Sequence, residues 1–119
     1  MTTVHARSSG EVFSRLALFA ALSPEAVPFA ASAALIAGAV DLAIHLAPRP
    51  PTAPGDSPGV VASVREVVGH RDGGVVANEV LRPGPNGTVT PAAPFRPETL
   101  ERLEAAGFSL DALCREGSW

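Results

Sequence analysis

The apolar run over residues 16–46 constrains this chain more than any other feature. It raises the question of a membrane span, which needs about 20 continuous apolar residues. Ser23, Pro24, Glu25 and Pro28 break the front of the run, and Asp41 breaks its back. The unbroken stretch, residues 29–40, is short and mostly Ala. A buried helix inside an α/β protein is the reading that follows. A small membrane-associated protein using residues 16–46 is its rival.

The chain has 119 residues, which suits one small domain or part of a larger one. Its apolar residues are mainly Ala, Val and Leu; Tyr is absent and the one Trp is Trp119. Small side chains bury little area each, so a core built from them is modest. The only cysteine, Cys114, can form no internal disulfide. Every basic residue is Arg, scattered singly, and the net charge is −3. A nucleic-acid surface needs clustered cations, so that class of partner is not expected. The N-terminal residues carry Glu11 and no long apolar core, unlike a signal peptide.

Residues 2–6, TTVHA, are β-prone and predict a short first strand. Ser8 and Glu11 have capping-box spacing, and Val12, Phe13, Leu16, Ala17 and Ala20 follow at helical spacing. A helix over about residues 9–22 is predicted. A second helix, apolar on every side, should begin near Pro28 and end near Gly38. Residues 41–47 read as a strand, with Leu42, Ile44 and Leu46 on one face and Ala43 and His45 on the other. The Pro-rich residues 48–58 form a stiff loop.

Residues 60–68 and 75–81 are strand candidates joined by an Asp72-Gly73 hairpin turn. Glu66 and Glu79 are expected to pair across this hairpin, with Arg65 as partner. Residues 83–94 read as a loop with a possible turn at Asn86-Gly87. A short amphipathic helix over residues 97–106 has Leu100 and Leu103 inward and Gly107 past its end. Ser109 is placed to cap a last helical turn through Leu113. The order of elements is an α/β pattern. A first strand at residue 2 leaves the sheet edge open, as though a front half precedes it.

Complete catalytic motifs are missing. A phosphate-binding loop needs a Lys between Gly and Ser or Thr, and this chain has no Lys. His5, His45 and His70 lack zinc-site spacing. No nucleophile elbow occurs. Glu101 and Glu104 fall on the outer face of the last helix and read as solvated surface. Taken singly, His5 reads as solvated or structural, His45 as a packing residue and His70 as exposed.

The segment MTTVHARSSGEVFSRLALFA resembles the histidine box of the type II/IV secretion ATPases, most closely the CpaF-like pilus-assembly branch. Matching residues are Thr2, Thr3, His5 and Ala6, then Ser8, Ser9 and the helix with Leu16. AGAVDLAIHLA resembles the next helix end and strand, VASVREVVGHRDGGVVANEVLRPG the following hairpin, and PFRPETLERLEAAGFSLDALC the closing helix. The similarity runs along nearly the whole chain.

That resemblance implies the C-terminal portion of a RecA-like three-layer motor domain. The expected parts are a partial RecA-like core with the histidine box (1–47), a Pro-rich loop (48–58), a β-hairpin extension (59–94) and C-terminal helices (95–119). The core would hold a partial parallel sheet and two helices. The family forms hexameric rings at the inner membrane face, docks on a secretion platform and hydrolyses ATP with Mg²⁺. Its nucleotide-sensing role carries over to His5, with Thr3 as neighbour. The phosphate loop and Mg²⁺-binding acids would lie before Met1, which stands at a hydrophobic position of the family's strand. The expectation is a segment inactive by itself. A non-enzymatic partner docking on an intact motor is the alternative.

Overall fold

The computed structural model describes residues 1–48, 59–85 and 89–109. The described elements are helices α1 (Glu11–Leu22), α2 (Phe29–Ala39) and α3 (Pro97–Ala105), and strands β1 (Leu42–Pro48), β2 (Gly59–Arg71), β3 (Gly74–Pro83) and β4 (Val89–Pro91). The fold is mixed α/β, and its four strands form one sheet in the order β1-β2-β3-β4. Every pairing among the described strands is antiparallel.

Residues 2–6 correct one expectation, because they adopt no strand. Two Thr and a Val favour extended backbone, but propensity forms no ladder without a partner edge. Consequently no parallel pair joins residues 2–6 to β1, and the expected partial parallel sheet is replaced by an antiparallel meander.

Helix α1 begins where the capping pattern put it, within two residues. The Ser8 hydroxyl accepts the Glu11 N–H (3.2 Å), and the Glu11 carboxylate reaches back to the Arg7 N–H. The helix stops at Ser23, whose hydroxyl donates to the Ala20 carbonyl (2.8 Å) just before Pro24. The connection then passes through Ala26 at φ 45°, a left-handed conformation costly for a residue with a Cβ. Pro28 precedes the first turn of α2. Ser32 is the polar residue buried in that helix, and its hydroxyl donates to the Phe29 carbonyl (2.7 Å).

The hairpin is as the sequence indicates. Asp72 (φ 51°) and Gly73 (φ 76°) both take positive φ, as a two-residue turn matched to strand twist requires. Strand β2 is long because it serves two neighbours, β1 at its start and β3 at its end. Pairing irregularities fall between His45 and Leu46 against β1, and between Val64 and Arg65 and between Val67 and Gly69 against β3. Strand β4 lies within residues expected to be loop and adds three residues to β3.

Side chains alternate across β2, so neighbours serve opposite layers. Ser63 and Arg65 reach Ser9 at the root of α1. Glu66 turns the other way and meets Arg96, the residue before α3. The sheet thus has α1 and α2 on one side and the α3 segment on the other. The core is small, as the Ala-rich composition dictates: Ala17, Ala33, Ile36, Ala43, Val64, Val67 and Val80. In β1 the buried side carries Ala43, while Ile44 is 58% and Leu46 66% exposed.

Helix α3 has Leu100 and Leu103 half-buried and Glu101 and Glu104 exposed. Gly107 takes φ 91° past its end, as a helix-terminating glycine does. Phe108 then meets Phe95 edge-on at 6.4 Å. The expected Pro-rich loop beyond Pro48, the Asn86-Gly87 turn and the last helical turn after Ser109 lie outside the described residues. Among the described residues no helix is long and apolar enough to cross a membrane.

Candidate functional site

The site is built around the root of α1. Ser9 is 4% exposed and satisfied by the sheet beneath it. Its oxygen accepts from Ser63 Oγ (2.8 Å) and from Arg65 Nε (3.1 Å). Arg65 extends the chain to Glu79 by donating from its Nη2 (2.9 Å). Buried hydroxyls of this kind are costly unless bonded, and here each bond joins the helical layer to the hairpin.

Residues 2–6 lead into this root as an arm. Among the described residues, no backbone hydrogen bond involves the arm. It forms one wall of a groove of about 440 Å³, and β1 forms the other. His5, Thr3 and Thr2 line the first wall, His45 and Ala43 the second, and Val12 and Leu16 the floor side from α1. Both His5 and Thr3, the residues singled out from the sequence, therefore face one groove and are exposed.

His45 joins them there, half-buried. Sequence reasoning treated it as packing, because alternation along a strand says which face a residue takes and not which edge remains open. His70 is exposed in β2 beside the hairpin turn and is not among the groove residues. Among the described residues no group of His, Cys, Asp and Glu could hold a metal ion.

The expected pairing of hairpin carboxylates is half right. Glu79 stands opposite Arg65 in register and bonds it. Glu66 does not: it stands opposite Asn78 across the hairpin and turns to Arg96 on the other layer. Adjacent residues of a strand cannot share a face, so Arg65 serves only one of the two layers.

Two carboxylates near these elements are held in their ionised form. Glu11 titrates below the ordinary carboxylate value, chiefly because the Arg7 N–H bonds it, with Arg15 adding charge. Asp41 is lowered chiefly by its hydrogen bond from Arg102, at 2.9 Å, which ties the start of β1 to α3.

Chemically the groove offers hydroxyls, two imidazoles and apolar walls. Its lining includes no Asp, Glu or Arg, and the chain has no Lys. It can donate and accept hydrogen bonds, but it has no cation for a phosphate chain and no carboxylate for Mg²⁺. ATP with Mg²⁺ therefore does not fit the residues present in the groove, and no hydrolytic step is assigned to them.

No protein family, curated protein or solved structure matches the chain.

Proposed function

We propose that this chain is the C-terminal segment of a secretion or pilus-assembly motor ATPase of the type II/IV class, inactive by itself. The observation that carries the reading is the position of His5 and Thr3. They sit on an arm beside β1, the end strand of the sheet among the described residues, and join it through a two-helix crossover. A crossover of that length is what two parallel strands of one sheet require. In this reading the arm becomes a strand of a RecA-like sheet once the rest of the motor is present. His5 then senses nucleotide, with Thr3 beside it. The phosphate loop and the Mg²⁺ acids come from outside the chain, consistent with its lack of Lys. The assembled motor is a hexameric ring in the cytoplasm, on the platform at the inner face of the membrane.

A second reading keeps the same chemistry without the covalent link: a non-enzymatic partner docked on an intact ring. The exposed Leu18, Phe19, Leu22, Phe29 and Leu35 of the two helices favour it, since a partner that covered them would remove apolar surface from water.

Two experiments decide. Purified 1–119 should turn over no ATP; turnover abolished by His5→Ala would overturn the proposal. The genomic sequence preceding the Met1 codon should encode, in frame, a Gly-Lys-Ser/Thr loop. Its absence removes the motor-segment reading, and co-purification with an intact motor then selects the docking partner.

A further inference from the structure

Among the described residues, charge more than apolar burial holds α3 to the sheet. The buried side chain of the helix is Thr99, with Leu100 and Leu103 half-buried. Two arginines supply the main polar attachments. Arg96, just before the helix, gives its backbone N–H (3.1 Å) and its Nε–H (3.2 Å) to the Glu66 carboxylate, and an Nη2–H to the Val67 carbonyl (3.1 Å). Arg102, further along, gives Nη1 (2.9 Å) and Nη2 (3.4 Å) to Asp41. Both arginines belong to the α3 segment, and both carboxylates lie on the sheet side.

The same segment closes on itself. Phe95, before the helix, meets Phe108, after it, edge-on. The Phe108 N–H donates to the Leu103 carbonyl (2.9 Å). The front boundary is equally sharp. Ala92 and Ala93 still donate to β3, at the Val80 (2.9 Å) and Glu79 (3.0 Å) carbonyls. Pro94 follows, and a proline has no N–H with which to continue that ladder. Helix α3 is nine residues long, too short to stay helical in water by itself. Docking and helix formation are therefore one equilibrium: an α3 that lets go also melts.

We propose that residues 95–108 are a charge-latched strap, which docks and releases in one step while the sheet, α1 and α2 stay folded. Release uncovers the Glu66 carboxylate, fully buried in the docked state. It leaves in place the bonds of Ser9 to Ser63 and Arg65 on the opposite side of the sheet. Openings of this partial kind cost less free energy than unfolding the whole chain. The strap is the device by which this fold exposes a carboxylate without dismantling its core. The inference stands apart from the motor reading, because its readout involves neither nucleotide nor His5.

The test is amide hydrogen exchange on purified 1–119, under conditions where exchange reports the opening equilibrium. The amides of Arg96, Leu100, Ala106 and Phe108 are each hydrogen-bonded in the docked strap. They should share one opening constant, larger than that of β2, and Ala93 should not share it. Arg102→Ala should raise that constant by the same factor for each of them, roughly two- to fivefold, the size expected of an exposed pair. Ser9→Ala should speed exchange in α1 and β2 and leave the strap unchanged, because the Ser9 bonds survive release. Should Ser9→Ala not fold, low urea makes the same separation. It should speed the core amides more steeply than the strap amides, in proportion to the surface each opening exposes. Strap amides that follow the core in Ser9→Ala or in urea would overturn the proposal. So would an Arg102→Ala effect confined to the last turn of α3, or an Ala93 amide that opens with the strap.

Discussion

The carboxylate of Glu66, with none of its surface exposed, accepts both the backbone N–H (3.1 Å) and the Nε–H (3.2 Å) of Arg96. Arg96 adds a bond to the Val67 carbonyl (3.1 Å) and stands at the N-terminus of α3. A negative group at that end also suits the helix dipole. The partners are unequal: Glu66 is buried, while the Arg96 side chain keeps 39% of its surface. Removing the Arg96 side chain takes the counter-charge from a buried carboxylate and leaves it only the backbone N–H of residue 96, whereas removing Glu66 frees an arginine that can rehydrate. Arg96→Ala should therefore cost about 3–5 kcal/mol, and Glu66→Met clearly less. Urea unfolding of the two variants checks the order; equal losses would refute the asymmetry.

Ser9 predicts a coupling between layers. Ser9→Ala leaves the buried Ser63 Oγ, and the half-buried Arg65 Nε, short of an acceptor. The expected loss is about 1–3 kcal/mol. A double-mutant cycle with Arg65→Met should be non-additive, and strict additivity would mean that Ser9 and Arg65 do not interact.

Backbone conformation predicts two opposite effects of one methyl group. Ala26 holds φ 45° and Gly73 holds φ 76°. A Cβ on Gly73 would meet only Ala30 Cα at 3.8 Å, so Gly73→Ala carries a conformational cost without a clash, about 1–2 kcal/mol. Ala26→Gly relieves that same cost but loosens the unfolded chain, and should stabilise by about 0.5 kcal/mol. Thermal melts of both variants should move in opposite directions.

Asp41 and Arg102 give a pH signature. The folded-state carboxyl of Asp41 is depressed below its ordinary value, mainly by the Arg102 hydrogen bond. Folding thus favours the ionised form. The pair's contribution is present above the ordinary carboxyl range and is lost as pH falls through the depressed folded value. Both side chains are mostly exposed, so the contribution is small and weakened by salt. In an NMR titration, Arg102→Ala should raise the Asp41 midpoint towards the ordinary range; an unmoved midpoint would show that Arg102 is not the cause.

Local signals made much of this fold legible. The Ser8–Glu11 spacing, Pro28, Asp72-Gly73 and Gly107 each act within a few residues, and each marks a real boundary. What failed was non-local. Residues 2–6 have strand propensity, but a strand exists only where a second edge meets it. Glu66 looked like a hairpin partner, but its real partner lies 30 residues away on another layer. β4 is three residues long, too short for any alternation to stand out. Of the groove residues, the family resemblance singled out His5 and Thr3, while His45 stood out only once β1 took the end of the sheet among the described residues.

The alternation along β2 fixes which insertions this protein can survive. Arg65 grips the helical layer and the very next residue grips the α3 layer. Adding one residue just before Arg65 would rotate both side chains to the wrong sides, aiming a guanidinium at Arg96 and a carboxylate at Ser9. An insertion here is therefore tolerated only where a bulge absorbs it, as the irregularity between Val64 and Arg65 does in the pairing with β3.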